Sequence, residues 1–256
     1  MIVTTAGRAT SQLVAIAKQL AASYDLLFKE RNGVSLETMK NQYHDDLVVV
    51  GKNKLFIATL NEAENIFFHP NLAMVRAKRM LNGEEDPLIT AAGLKEGMSF
   101  LDCTLGLASD SVIASLAVGE SGSVTGLEGN SLLYLIVTEG LAACSSGSLH
   151  FDQAMRKIKT IHTDHFSFLQ QADTNFFDFV YFDPMFHSTI DTSNGIQSIR
   201  GQALMTELTP ELITEAKRVA KKRVILKDHW KSERFRTLGF QRLKRKTSQF
   251  HYGIIE

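Results

Sequence analysis

The chain has 256 residues, 44% of them hydrophobic and 22% charged, with equal numbers of acids and bases. At about 150 residues per domain this allows one large domain, or a medium one with a small companion; it excludes a disordered or collagen-like chain and gives enough length to bury a core without disulfide staples. Two isolated cysteines, Cys103 and Cys144, make neither a disulfide framework nor a zinc site, and no basic segment precedes an apolar run at the N-terminus. The longest apolar stretch, around Leu132 to Val137, is far short of the ~20 residues a membrane span needs. The expectation is a cytoplasmic protein without a membrane segment.

In chain order, Met1 to Thr4 is a short β-branched run. Thr10 or Ser11 caps a helix with apolar residues at Leu13, Val14, Ile16, Ala17, Leu20 and Ala21. Arg31-Asn32-Gly33 signals a turn. Leu47 to Val50 and Leu55 to Leu60 flank Gly51-Lys52-Asn53-Lys54 and predict a hairpin. Pro70 opens a helix over Asn71 to Leu81. These elements predict a small N-terminal α+β domain, residues 1–82.

From about Asp86 the pattern changes to strands alternating with helices. Pro87 to Ala92 reads as a helix ending at Gly93, Ser99 to Leu101 as a strand, Ser109 to Val118 as a helix and Ser123 to Leu127 as a strand ending at Glu128. Ser131 to Ala143 is a helix, Ile158 to His162 a strand ending near Asp164, and Phe177 to Phe182 a strand running into Asp183-Pro184. Glu211 to Ala220 is a helix, Arg223 to Leu226 a strand, and Phe240 to Leu243 with His251 to Ile255 a final hairpin. Such alternation implies βαβ units and a parallel sheet over residues 83–256.

Open α/β sheets bind ligands beyond the carboxyl ends of their strands, so the residues just after each strand carry most weight. The first such turn runs Asp102-Cys103-Thr104-Leu105-Gly106-Leu107-Ala108-Ser109-Asp110. A dinucleotide fingerprint needs three glycines, and this turn has Gly106 with acids around it. A negative rim disfavours a diphosphate and suits a cationic ligand such as S-adenosylmethionine, which carries a sulfonium and an ammonium. Glu128, 26 residues after Asp102, is placed to accept from two ribose hydroxyls. Asp164 is placed to accept from an adenine amino group.

The stretch Phe179-Val180-Tyr181-Phe182-Asp183-Pro184-Met185-Phe186 is the most informative. Proline stiffens the turn. The Asp183 carboxylate and the Pro184 carbonyl are then acceptors beside the flat face of Phe186, an arrangement suited to a planar base with an exocyclic amine. Asp183, Pro184 and Phe186 are the candidate catalytic residues.

The order Asp102-x-Thr104-x-Gly106, Glu128, Asp164, Asp183-Pro184-Met185-Phe186 resembles the class I S-adenosylmethionine-dependent methyltransferases. It is most similar to the bacterial small-subunit ribosomal RNA guanine-N2 methyltransferase family J and its relatives. The resemblance covers about residues 86 to 230. It implies a Rossmann-like fold with a mostly parallel seven-stranded sheet and an antiparallel C-terminal strand. It also implies S-adenosylmethionine as cofactor, held at Asp102, Thr104, Gly106, Ser109, Asp110, Glu128, Gly129, Asp164, His165 and Asp183, and methylation of a base amino group in RNA. The family usually has a glycine-arginine pair where this chain has Ala108-Ser109. Beyond its D-P-M-F motif the family has a lysine-rich segment, where this chain has His187-Ser188-Thr189-Ile190-Asp191 and a later Arg200.

Residues Lys217 to Lys246 hold thirteen Lys or Arg against Asp228 and Glu233, a local charge of +11 balanced by −11 over the rest of the chain. A basic segment on an acidic body fits a polyanion, here RNA, although lysines also guard strand edges. Trp230 and Phe235 interleave with these charges and are candidates for base contact. No histidine spacing suits a metal. The competing functions are a methyltransferase acting on DNA adenine or a small molecule, a nicotinamide-dependent oxidoreductase disfavoured by the missing glycines, and a non-catalytic RNA-binding protein.

Overall fold

The computed structural model describes residues 1–61, 64–184, 207–246 and 248–256. By its contacts the chain divides into two compact units, one built on Met1–His69 and one carrying most of the chain from Pro70 onward.

The first unit is a four-stranded sheet with two helices. Its strands are β1 (Ile2–Thr5), β2 (Leu27–Phe28), β3 (Leu47–Val50) and β4 (Leu55–Ala58), in the order β2-β1-β3-β4. β1 runs parallel to β2 and β3, and β3 and β4 form the expected antiparallel hairpin. The β-branched residues of β3 are fully buried, which is where such side chains pack best. Helix α1 (Ser11–Ser23) starts where Thr10 accepts the Leu13 N–H, and α2 (Leu36–Tyr43) starts where Ser35 accepts the Thr38 N–H. Ile2, Met39, Leu47, Val49 and Ala58 form the core of the unit.

The second unit begins with α3 (Asn71–Leu81), which clusters with the large sheet by its contacts. Helix α4 (Pro87–Ala92) follows, capped by Asp86, opened by Pro87 at its first turn and ended by Gly93 at φ +74°. Seven strands then make one sheet: β5 (Ser99–Asp102), β6 (Ser123–Glu128), β7 (Lys159–His162), β8 (Phe177–Phe182), β9 (Ala220–His229), β10 (Gln241–Leu243) and β11 (Phe250–Ile255). Their order is β10-β11-β9-β8-β5-β6-β7. β5 to β9 are mutually parallel, while β11 is antiparallel to both β9 and β10.

The connecting helices are α5 (Ser109–Val118), α6 (Ser131–Ala143), α7 (Leu149–Arg156), α8 (His165–Gln171), α9 (Pro210–Val219) and α10 (Arg234–Thr237). Successive residues of a strand point to opposite faces. Phe179, Val180, Tyr181 and Phe182 of β8 are all buried, so helices cover both sides of the sheet. On one side Val180 and Phe182 pack with Leu212, Ile213 and Ala216 of α9; on the other Tyr181 reaches α5.

The chain leaves β5 toward β6 and β7 on one side, and returns to β8 and β9 on the other. The strand order therefore reverses between β5 and β8, and such a switch point opens a crevice at the carboxyl ends of the two strands. Asp102 ends β5 and Asp183 follows β8, so the fold brings these two predicted residues to one place.

Several elements differ from the sequence expectations. β2 and helices α2, α7, α8 and α10 were not predicted; all are short, at two to eight residues. β9 is ten residues long rather than four, because β8 and β11 supply hydrogen-bonding partners along most of it.

Candidate active site

The loop after β5 is organised by Asp102. Its carboxylate is 1% exposed. Oδ1 accepts the Thr104 N–H at 3.0 Å and the Thr104 hydroxyl at 3.3 Å, and Oδ2 accepts the Ser111 hydroxyl at 2.7 Å. Burial pushes its pKa up to about 7 against these donors. Asp102 thus shapes the loop from within and presents no open oxygen to a ligand. Thr104 passes the order on: its Oγ1 accepts the Asp183 N–H at 2.7 Å.

Gly106 has φ +50°, and its N–H donates to Glu128 Oε2 at 3.1 Å. Leu105 packs against Gly126 of β6, where any side chain would collide with it. Ala108 takes the left-handed conformation at φ +61° before α5, without a side-chain cap. Ser109, half-buried, begins that helix.

Glu128 closes β6 and is buried. Besides the Gly106 N–H, it accepts the Asn130 N–H at 2.9 Å through Oε1. Burial raises its pKa, and the N–H groups of Asn130, Gly106 and Gly129 oppose that shift. A carboxylate has about four acceptor sites, so a fixed Glu128 at a strand end retains capacity for ribose hydroxyls. Gly129 gives its carbonyl to His162 Nε2 at 3.3 Å, and the His162 ring stacks on Tyr134 at 5.0 Å.

Asp164 is exposed and caps α8, with Oδ1 accepting the Ser167 N–H at 2.8 Å; this bond lowers its pKa. His165, next in the chain, is buried edge-on to Phe182 at 5.9 Å. Burial lowers the pKa of His165 and favours the neutral ring, whose Nε2 has no hydrogen-bond partner.

At the end of β8 a chain of alternating charges converges on Asp183. Asp86 holds Arg76 through two bonds of 2.8 Å. Arg76 Nη1 donates to Asp110 Oδ1 at 2.5 Å. Asp110 Oδ2 accepts from the Tyr181 hydroxyl at 2.9 Å and from Lys227 Nζ at 2.9 Å. Lys227 Nζ also donates to Asp183 Oδ2 at 2.6 Å. Burial alone would push the Asp110 carboxyl up, but the Lys227 and Arg76 cations overcome it and hold it well below the usual carboxylate range. Asp183 goes the other way: burial, opposed by Lys227, pushes it up to about 6. Its Oδ1 is buried and without a hydrogen-bond partner. Pro184 is buried beside it. Phe186 lies outside the described residues.

Arg76, Tyr181 and Lys227 were not singled out as site residues from the sequence. Lys227 carried a signal, being a lysine directly after the apolar Val224-Ile225-Leu226 of a buried strand. Asp110, a predicted cofactor contact, has both oxygens engaged by this network.

The basic segment is not one open stripe. Arg218 pairs with Glu215, Arg223 with Glu256, Arg234 with Asp228 and Arg236 with Glu233, besides Lys227 within the site. Phe235 is 4% exposed and belongs to the core. Trp230, just past β9, is 44% exposed, with Lys231 Nζ over its ring at 5.0 Å and Arg242 donating to its carbonyl at 2.7 Å. These residues and Arg236 line a shallow cavity of about 600 Å³ floored by Phe235 and Phe240.

The strand order, the reversal at β5 and β8 and the acid closing β6 define a Rossmann-like methyltransferase of class I. Residues 31–250 match the family described as "Putative SAM-dependent methyltransferase", and the chain belongs to that family. It is 47% identical over 255 residues to the uncharacterized protein YpiP of Bacillus subtilis (strain 168), covering all of this chain and 99% of that one. A SAM-dependent methyltransferase from Neisseria gonorrhoeae superposes with a TM-score of 0.65 at 14% identity, over 99% of this chain and 95% of its own; this likeness concerns the fold. The cofactor is therefore S-adenosylmethionine and the protein is a methyltransferase. The residues fit that group: Glu128 is a fixed buried carboxylate at a strand end, and Asp183 Oδ1 and His165 Nε2 stand without partners. No helix among the described residues is long and apolar enough to cross a membrane.

Proposed function

We propose that the enzyme methylates an exocyclic amino group of an RNA base, with guanine N2 in ribosomal RNA as the target, and that it acts in the cytoplasm. The observation that carries this reading is the buried, unpartnered Oδ1 of Asp183 next to Pro184, at the switch point of the sheet. Bound S-adenosylmethionine supplies an electrophilic methyl group on a sulfonium.

An exocyclic purine amine is a weak nucleophile because its lone pair is delocalised into the ring. Asp183 Oδ1 and the Pro184 carbonyl accept its two N–H bonds, which favours a pyramidal nitrogen and aims the lone pair. A nitrogen taking up the methyl group would gain positive charge, and the Asp183 carboxylate held beside it would stabilise that charge. The excess proton then leaves through Asp183 to water. Glu128 and Gly129 would hold the ribose end of the cofactor, and Asp164 and His165 the adenine end. Phe186 stacks the target base, an interaction worth roughly 1–3 kcal/mol; a paired base is first flipped out.

Trp230, with Lys231 and Arg242, supplies a flanking aromatic and cationic surface for RNA near the carboxyl end of β9, the strand that also carries Lys227. Only the uncompensated part of the basic segment serves the phosphates.

The test is to incubate the protein with methyl-tritiated S-adenosylmethionine and total RNA from a strain lacking its gene, then digest the RNA and identify the labelled nucleoside. Label in N2-methylguanosine from ribosomal RNA supports the reading. Label confined to DNA added in parallel, or to a small-molecule extract, overturns it.

A further inference from the structure

Asp183 is the last carboxylate of a five-member chain: Asp86, Arg76, Asp110, Lys227, Asp183. Acids and bases alternate, three against two, so the chain carries one net negative charge, and Asp183, its end beyond β8, keeps one carboxylate oxygen without a partner. A lysine side chain is long and rotamer-rich and ordinarily resists fixing. Here the Lys227 side chain is only 18% exposed, and its ammonium is held between Asp110 Oδ2 at 2.9 Å and Asp183 Oδ2 at 2.6 Å. Asp110 is in turn immobilised by Arg76 through its other oxygen and by Tyr181.

We propose that Lys227 is a positioning residue for methyl transfer: it claims Oδ2 of Asp183 and so reserves Oδ1, in one fixed direction, for the substrate amine. The two oxygens of a free carboxylate are equivalent, and rotation about the Cβ–Cγ bond exchanges them. The Lys227 bond removes that equivalence. The Asp183 N–H, donated to Thr104 Oγ1, fixes the same residue from its backbone side. Asp110 and Arg76 act through Lys227, setting how far its charge is drawn away from Asp183. The net negative charge of the chain favours the attacking nitrogen as it becomes positive.

This inference rests on the reading that Asp183 faces the substrate, and its test separates the two. Among the described residues, the titratable and charged groups facing Asp183 and Lys227 are Asp102 on β5, Asp110 on α5, Tyr181 on β8, Tyr252 on β11 and Arg76 on α3. The primary readout is the carboxyl carbon-13 titration of Asp183, assigned with Asp183→Asn, which needs no substrate. In the intact enzyme the midpoint lies near 6. Lys227→Met removes the attracting cation and moves it up. Asp110→Asn removes a repelling acid, leaves Lys227 undivided and moves it down. A merely structural brace gives the same opposed shifts, so the shifts establish the pairing on Oδ2, and the split between kcat and KM establishes the positioning.

In methyl-transfer assays the acid limb of kcat follows each shift. Lys227→Met lowers kcat by about a hundredfold, the order expected for an acceptor misplaced by an ångström. The KM for RNA and the affinity for S-adenosylmethionine change little, and Lys227→Arg restores part of kcat. If Lys227→Met does not fold, Asp110→Asn and Lys227→Arg carry the test, the latter holding the midpoint near its original value. An Asp183 midpoint that is unmoved or that moves the same way in all variants, or a kcat unchanged in Lys227→Met, overturns the proposal. Absence of RNA turnover in the intact enzyme, with the opposed shifts present, instead refutes the RNA reading and leaves the claim of Lys227 on Oδ2 standing.

Discussion

Thr104 Oγ1 accepts the backbone N–H of Asp183 at 2.7 Å across 79 residues of sequence. One hydroxyl thereby joins the loop after β5, whose Gly106 N–H donates to Glu128, to the aspartate read as the acceptor for the substrate amine. The same hydroxyl donates to the buried Asp102, so this side chain adds to the β5–β8 pairing in tying the two turns together.

Thr104→Val keeps the shape of that side chain and leaves the Asp183 N–H unsatisfied. The expected cost is about 1–3 kcal/mol, a loss of roughly 2–10 °C in Tm for a chain of this size. Thr104→Ser retains most of both. Calorimetric melting of the three proteins checks the stability, and steady-state methyl transfer should show a fall in kcat with a smaller change in KM.

Glu128→Ala removes a carboxylate that accepts from the backbone N–H groups of Gly106, Gly129 and Asn130 and is assigned the ribose hydroxyls. Hydrogen bonds to a charged group are worth about 1.5–3 kcal/mol each, so affinity for S-adenosylmethionine should fall at least about tenfold. Isothermal titration of both proteins, with NAD as a control ligand, measures this. Unchanged affinity in the variant would remove Glu128 from the cofactor site.

Two acids of the network respond to pH with opposite signs. Asp110 is held below its ordinary 3.8, so its contribution to stability is complete above that value and is lost as pH falls below it. Asp183 is raised to about 6, so between 3.8 and 6 the fold binds a proton that the unfolded chain does not, and stability declines as pH rises through that window. Methyl transfer needs the ionised acceptor and should fall as pH drops below about 6. Rate profiles from pH 5 to 8 check this, and Asp183→Asn should be slow and flat across the range.

Trp230→Ala should weaken RNA binding by about 1–3 kcal/mol through lost stacking, with the salt dependence unchanged. Lys231→Ala should instead reduce the slope of log affinity against log salt by about one. Filter binding at several salt concentrations distinguishes the two effects. Equal behaviour of both variants and the parent protein would move the RNA surface elsewhere.

The alternation of strands and helices from Asp86 onward was legible because buried parallel strands such as Phe177–Phe182 are continuous apolar runs, and because Asp86, Pro87 and Gly93 punctuate α4 in the usual order. The acid closing β6 was legible for the same reason. Contact partners were not. Arg76, Asp110 and Lys227 are separated by 34 and 117 residues and lie on two helices and a strand that meet only in the folded chain. Lys227 counted in the sequence as one more charge in a basic stretch, whereas the fold encloses it between two carboxylates. Asp102, also an acid after a strand, shows why that position alone does not define a ligand contact: it turns inward to build its loop. α8 itself was hidden because it begins three residues after β7, too close for a separate hydrophobic period to register.

The most direct test of the account is single-turnover methyl transfer to RNA from enzyme loaded with tritiated S-adenosylmethionine, comparing the intact protein with Asp183→Ala after cofactor affinity has been measured for both. The account predicts that the variant still binds the cofactor and transfers the methyl group at least about a hundredfold more slowly. Equal transfer rates at equal cofactor occupancy would contradict it.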